Sequence, residues 1–227
     1  MADRLTLPEQ IAVWDRRGAS PDAYPHNPDP PLVDRLRPIP AKLRLALDIG
    51  CGHGRHLCLL ASMGWRIVGL DWSTVALEHA KRTVEASGRY ARFVAADFRH
   101  LPFDKPAFSL VIATRVLNHG FLLDFKCALT EIKRVLLAGG SAIISVPTLN
   151  NAPLTSAGSW EESGTLVLSS GIEAGIPHHF FSEEEIQECT RQFRQVVVDR
   201  VIEPLPEGFA APHEHHLNEW FWVTLTG

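Results

Sequence analysis

Cysteine is scarce in this chain of 227 residues: Cys51, Cys58, Cys127 and Cys189 are scattered, and no two form a C-x-x-C pair. A zinc ribbon and a disulfide framework are therefore not expected, and a reducing, cytoplasmic setting fits. Long apolar runs are missing as well. None approaches the roughly 20 residues of a membrane helix, and the start, Met1-Ala2-Asp3-Arg4, lacks the apolar stretch of a signal peptide. Neither membrane insertion nor secretion is expected. Basic clusters are also absent and the net charge is −4, whereas a nucleic-acid substrate would ask for a basic face. No internal repeat or low-complexity tract is visible. What remains, 45% hydrophobic and 21% charged residues, suits a globular protein with one good core.

The most informative segment is Leu45-Ala46-Leu47-Asp48-Ile49-Gly50-Cys51-Gly52-His53-Gly54-Arg55, an apolar run that ends in an acid and then alternating glycines. It reads as a buried parallel strand entering a tight turn whose bare backbone lets a nucleotide-like ligand approach closely. A dinucleotide fingerprint would place its third glycine five residues after the first. Here Gly50, Gly52 and Gly54 are spaced by two, and Arg55 stands at the fingerprint position. The next apolar run, Trp65 to Leu70, ends in Asp71, 21 positions after Gly50. An acid at that strand tip can accept hydrogen bonds from both ribose hydroxyls, whether of a dinucleotide or of another nucleoside.

Together with stretches further along the chain, these segments resemble the class I S-adenosylmethionine-dependent methyltransferases. The acid two residues before the glycine turn (Asp48 with Gly50, Gly52 and Gly54) is similar to that family's first motif. Asp97-Phe98, after the run Ala91 to Ala96, resembles its adenine contact. The stretches Leu101-Pro102-Phe103, Phe108 to Ala113 and Leu137-Ala138-Gly139-Gly140-Ser141 resemble the segments leading into its fourth and fifth strands. The resemblance implies S-adenosyl-L-methionine as cofactor, held by Asp48, Gly50, Cys51, Gly52, Gly54, Asp71, Trp72, Asp97, Phe98 and Thr114. Gly175 to Glu185 is similar to a segment of small bacterial methyltransferases of the tellurite-resistance type.

Along the chain, a short helix is expected over residues 5 to 17, carrying Ile11, Val13 and Trp14, and the prolines between Pro21 and Pro40 cannot continue it. Residues 1–40 thus read as an N-terminal arm, and 41–227 as one domain. Strand and helix then alternate: strands over 43–49, 66–70, 91–95, 107–113 and 141–146, with helices over 55–63, 73–86 and 125–137 between them. Ser182 and Glu185 form a capping box for a helix to about Phe193, and strands over 195–202 and 217–225 follow. This alternation predicts an α/β, Rossmann-like, doubly wound seven-stranded sheet with helices on both faces. The resemblance implies that only the last strand is antiparallel. Between Pro147 and Pro177 the pattern loosens into a long loop, in which Trp160, Glu161 and Glu162 could form a lid.

Ligands of open parallel sheets sit beyond the carboxyl ends of the strands, and this edge collects His119, His178, His179, His213, His215 and His216. Imidazole titrates near neutrality, so His119 and His179 are the candidate bases for the proton of a methyl acceptor. No metal is expected, because nothing fixes a four-ligand set from His213-Glu214-His215-His216 with His178. Arg115, after the fourth strand, could pair with an anionic substrate or a carboxylate; Arg55 reads as a first-turn helix residue; Trp14 and Tyr24 could close over the cofactor; Trp220 and Trp222 read as core. The expected activity is methyl transfer to an O, N or S nucleophile of a small molecule, by a monomer or homodimer. The alternatives are a cofactor-binding regulator without turnover and a nicotinamide-dependent reductase.

Overall fold

The computed structural model of the chain describes residues 5–20, 24–39, 44–151, 158–203 and 218–227. Its centre is a seven-stranded sheet built from β1 (Leu45–Ile49), β2 (Arg66–Asp71), β3 (Arg92–Ala95), β4 (Phe108–Thr114), β5 (Leu136–Pro147), β9 (Gln195–Ile202) and β10 (Glu219–Thr226), in the order β3-β2-β1-β4-β5-β10-β9. The first five pair in parallel, and β10 runs antiparallel to both β5 and β9. Strand β9 therefore points the same way as the first five, and β10 alone is reversed.

Period-two alternation sends neighbouring side chains of each central strand into different cores. On one side, Leu47, Ile49, Val111, Ala113, Phe221 and Val223 meet Phe125, Leu129 and Ile132 of α5 (Leu122–Val135) and Ile186 of α6 (Glu183–Thr190). On the other, Ala46, Leu110, Ile112 and Trp222 meet α3 (Arg55–Ser62) and α4 (Thr74–Ala86) through Leu57, Leu60, Leu77 and Val84. Both faces of the sheet are covered, as buried parallel strands require. Ser73 caps α4 by accepting from Ala76 N at 3.0 Å. Helix α5 begins at Leu122 rather than Phe125, because Asp124 reaches back to accept from Phe121 N at 2.8 Å.

The arm contains two helices, α1 (Leu7–Gly18) and α2 (Pro30–Leu36). The second lies inside the proline-rich stretch: Pro30 and Pro31 occupy its first turn, where a missing N–H costs nothing. Leu32 and Leu36 are fully buried in the α3/α4 core. The segment after β5 also departs from the expectation of a loop. It folds into a three-stranded antiparallel sheet of β6 (Gly158–Glu162), β7 (Thr165–Leu168) and β8 (Pro177–His179). Trp160 and Glu162 thus belong to a strand.

Candidate active site

At the end of β1 the backbone turns through Gly50, Gly52 and Gly54, with φ of +67°, +51° and +87°. These are left-handed conformations open mainly to glycine. A Cβ on Gly50 would lie 2.4 Å from Val116 Cγ2, so this close approach also depends on the bare residue. The turn is tied to the tip of β2: Gly50 N and Cys51 N donate to Leu70 O, Asp71 Oδ2 accepts from Gly52 N and Asp71 Oδ1 from Ser73 N, the last two at 2.9 Å. Burial raises the Asp71 carboxyl above its usual range, and the backbone donors oppose it. Asp48 is 1% exposed, and its Oδ2 has no partner among the described residues. Burial pushes that carboxyl well up.

A cavity opens beside this turn. Its floor is Ile49, Gly50, Leu70, Asp71, Trp72, Ala96 and Phe98; Arg115, Val116 and His119 form one wall, and Trp14 and Tyr24 of the arm cover it. Trp72 and Phe98 stand nearly parallel, 6.3 Å apart at 28°. Asp97, between two lining residues, turns to Arg99, whose Nε donates to both its oxygens at 3.1 and 2.9 Å. Arg99 in turn lies 5.1 Å over the Trp72 ring.

The remaining expected contacts, buried Asp48 among them, do not line the cavity. Cys51 is buried with its Sγ toward the α3 side, near Gly69. Gly54 caps α3 and packs against Ala80. Gly52 donates to Asp71 and lies under the Tyr24 ring. Thr114 faces α3, with its Oγ1 3.2 Å from His56 Nδ1.

The arm is latched over the site at several points. Asp15 Oδ1 accepts from Ser73 Oγ at 2.7 Å, His53 Nε2 donates to Gly18 O at 2.9 Å, and Arg17 pairs with Glu173. Beneath Trp14, at 4.7 Å between ring centroids, lies His119. Burial lowers its pKa well below the usual value, leaving a neutral imidazole at the cavity wall.

His178 and His179 show what strand alternation does to adjacent residues. His178 meets His119 edge to face, 5.0 Å between centroids at 89°. It donates from Nδ1 to Ile176 O at 2.9 Å, and burial lowers its pKa to about 4. His179 points the opposite way, fully buried against Phe181, with Nδ1 2.6 Å from Thr165 Oγ1. It is no part of the cavity wall. His213, His215 and His216 lie outside the described residues.

Behind the wall lies an ionic cluster whose members are far apart in the sequence. Arg55 NH1 and NH2 donate to the two oxygens of Asp29, each at 2.9 Å. Arg115, whose φ of +54° is the one positive value at a non-glycine among the described residues, lies 3.5 Å from Asp29, pairs with Glu203 and sits 4.2 Å over Trp220. Arg115 is thus already paired with carboxylates of this chain. Asp29 N donates to His56 Nε2 at 3.3 Å, so His56 is neutral, and burial lowers its pKa to about 3.

A family model described as a methyltransferase domain matches residues 46–140, the span from β1 into β5 that holds the glycine turn and the acids Asp48, Asp71 and Asp97. That segment of the chain is similar to a methyltransferase domain. The chain is also similar to a demethylmenaquinone methyltransferase of Thermus thermophilus, 35% identical over 102 residues (43% of this chain, 44% of that protein), and to the uncharacterized methyltransferase YodH of Bacillus subtilis, 33% identical over 97 residues (43% and 40%). The chain spans about two fifths of the length of these curated relatives. The same fold recurs in the N-methyltransferase NodS of Bradyrhizobium japonicum, solved with S-adenosyl-L-homocysteine, at a TM-score of 0.66 and 16% identity over 96% of this chain and 98% of that one. The cofactor that the resemblance implies is S-adenosyl-L-methionine. The residues present fit it, for the bare glycine turn leaves room beside buried acids, one of which, Asp48, has an oxygen lacking a donor.

Proposed function

We propose that this protein transfers a methyl group from S-adenosyl-L-methionine to an oxygen, nitrogen or sulfur nucleophile of a small molecule. The observation that carries this reading is the placement of one neutral imidazole, His119, in the same roofed cavity as the glycine turn and Asp71. When bound, the cofactor supplies an electrophilic methyl carbon with a good leaving group.

The chain's own residues supply position and enclosure. Asp71 would take the ribose hydroxyls on lone pairs its two backbone donors leave free, Trp72 and Phe98 would flank the base, and Asp48 would accept from a cofactor-side donor. Gly50 lets the backbone approach where any side chain would collide with Val116. Trp14 and Tyr24 exclude water from the reacting end. His119 faces the acceptor and accepts a hydrogen bond from its hydroxyl, thiol or amine. Alignment of the reacting atoms contributes more than the base does, up to about 7–11 kcal/mol in favourable systems. A small acceptor is supported by Trp14 and Tyr24 of the arm, which line the site, and by a sequence with a net charge of −4 and no Lys/Arg cluster. The expectation of a monomer or homodimer stands as part of the proposal.

The test is transfer of labelled methyl from S-adenosyl-L-methionine to a panel of phenols, thiols and amines, with wild type and His119→Ala. Turnover by wild type, reduced about 10²–10⁴-fold in the variant, supports the reading; no labelled product from any acceptor class by protein that binds the cofactor overturns it.

A further inference from the structure

Glu173 and His178 are joined in a way that the proposed reaction does not use. His178 donates its Nδ1 hydrogen to Ile176 O at 2.9 Å, so that Nε2 is the nitrogen that faces outward. That nitrogen lies 2.8 Å from Glu173 Oε2. An imidazole nitrogen and a carboxylate oxygen at this distance share one cation, a proton or a metal ion. The other Glu173 oxygen, Oε1, is held by Arg17, so the carboxylate is oriented and presents one oxygen. His119 completes the group. Its ring meets His178 edge-on, and ligand atoms of the three residues all lie within 4.8 Å of one another.

We infer that His119, His178 and Glu173 form a binding site for one divalent transition cation of the zinc type, open toward the cofactor cavity. Two imidazoles and one carboxylate are a donor set for zinc, cobalt or iron(II) rather than for magnesium, which prefers oxygen alone. The 2.8 Å between His178 Nε2 and Glu173 Oε2 suits neighbouring ligands, because two bonds of about 2.1 Å at a right angle end about 3 Å apart. The second shell is in place too: a backbone carbonyl fixes the tautomer of His178, and Arg17 orients the ligating carboxylate. The wall carrying His119 is the cavity wall, so a remaining coordination position would face the acceptor. The acceptor class it would take is an oxygen or sulfur anion, such as a phenolate or thiolate. This inference rests on the reading of His119 as the acceptor-side residue and refines how it acts, as a ligand and not as a free base.

The test uses chelator-treated protein titrated with Co²⁺ and with Zn²⁺, followed by calorimetry and by the visible cobalt absorption. His178→Gln, Glu173→Gln and His119→Ala are compared, and S-adenosyl-L-homocysteine affinity is measured on every sample as the control for an intact site. Expected is one cobalt per chain, displaced by zinc and not by excess magnesium, with binding at least about tenfold weaker in each variant while the homocysteine derivative still binds. Overturning results are no saturable cobalt binding, equal binding in all variants, or a proton NMR signature of an imidazolium at His178, which would show that a proton fills the place assigned to the metal. Cobalt binding without methyl transfer would uphold the site and sink the proposed reaction; methyl transfer without cobalt binding would do the reverse.

Discussion

Both oxygens of Asp29 are clasped by the Arg55 guanidinium, each at 2.9 Å, with the aspartate side chain only 7% exposed. The pair ties the arm to the first turn of α3, directly behind the glycine turn. Removing the acid leaves Arg55 and Arg115 without it in a half-buried site. Asp29→Ala is expected to cost about 3–5 kcal/mol, read as a lowered urea midpoint. A loss under about 1 kcal/mol would mean that the pair behaves as a surface contact.

His56 in the same cluster makes stability depend on pH. Its folded pKa of about 3 lies below the ordinary value of 6.5, so between these values the unfolded chain binds the extra proton. Stability from this group is therefore complete above about pH 6.5 and falls on acidification, by about 1.4 kcal/mol per pH unit. The Asp29 carboxyl is also depressed, by Arg115 and Arg55 against the cost of burial, and its contribution is lost at lower pH still. Chemical denaturation between pH 7.5 and 4.5 should show this slope in wild type and a flatter one in His56→Gln.

Two glycine substitutions separate backbone strain from lost approach. Gly50→Ala puts a Cβ 2.4 Å from Val116 Cγ2 at a φ of +67°, whereas Gly64→Ala, at +88°, meets nothing within 4 Å. The Gly64 change should cost about 1–2 kcal/mol and leave S-adenosyl-L-homocysteine affinity alone. The Gly50 change should abolish binding as well. Equal binding in both proteins would remove the glycine turn from the site.

Much of this arrangement is legible in the sequence because parallel strands announce themselves. Each apolar run that ends in an acid or a glycine is a strand tip, so Asp48, Asp71 and the Asp97-Phe98 step fall on one edge by pattern alone. The directions of the last two strands are implied by the family resemblance, and their order in the sheet is seen only in the fold. What stayed hidden depends on contacts distant in sequence or on weak local signals. Strands β6 to β8 are three to five residues long, too short to display a period. Helix α2 was masked by its own prolines, which are tolerated only because they fall in the first turn. Residue type alone did not choose between His178 and His179, since that depends on the face each takes in β8. Nor could Asp97 be seen to face Arg99, or Thr114 to face His56, because those pairings depend on side-chain direction.

That difference of face predicts different losses at neighbouring histidines. His179→Ala should lower the melting temperature, because it empties the place of a fully buried ring packed on Phe181, a cost of about 2–5 kcal/mol. Its folded fraction should keep kcat. His119→Ala should lower kcat with the melting temperature nearly unchanged. Loss of kcat in the first variant, with its fold intact, would move the acceptor site to the far side of β8.

Everything proposed for this protein depends on whether the cavity beside Gly50 and Asp71 binds the methyl donor. Calorimetric titration of the protein with S-adenosyl-L-homocysteine and with NADH, repeated on Asp71→Asn, answers it. One saturable site for the homocysteine derivative, weakened about tenfold or more in the variant, with no NADH binding, is the predicted result. Saturable NADH binding, or no binding of the homocysteine derivative to well-folded protein, would contradict it.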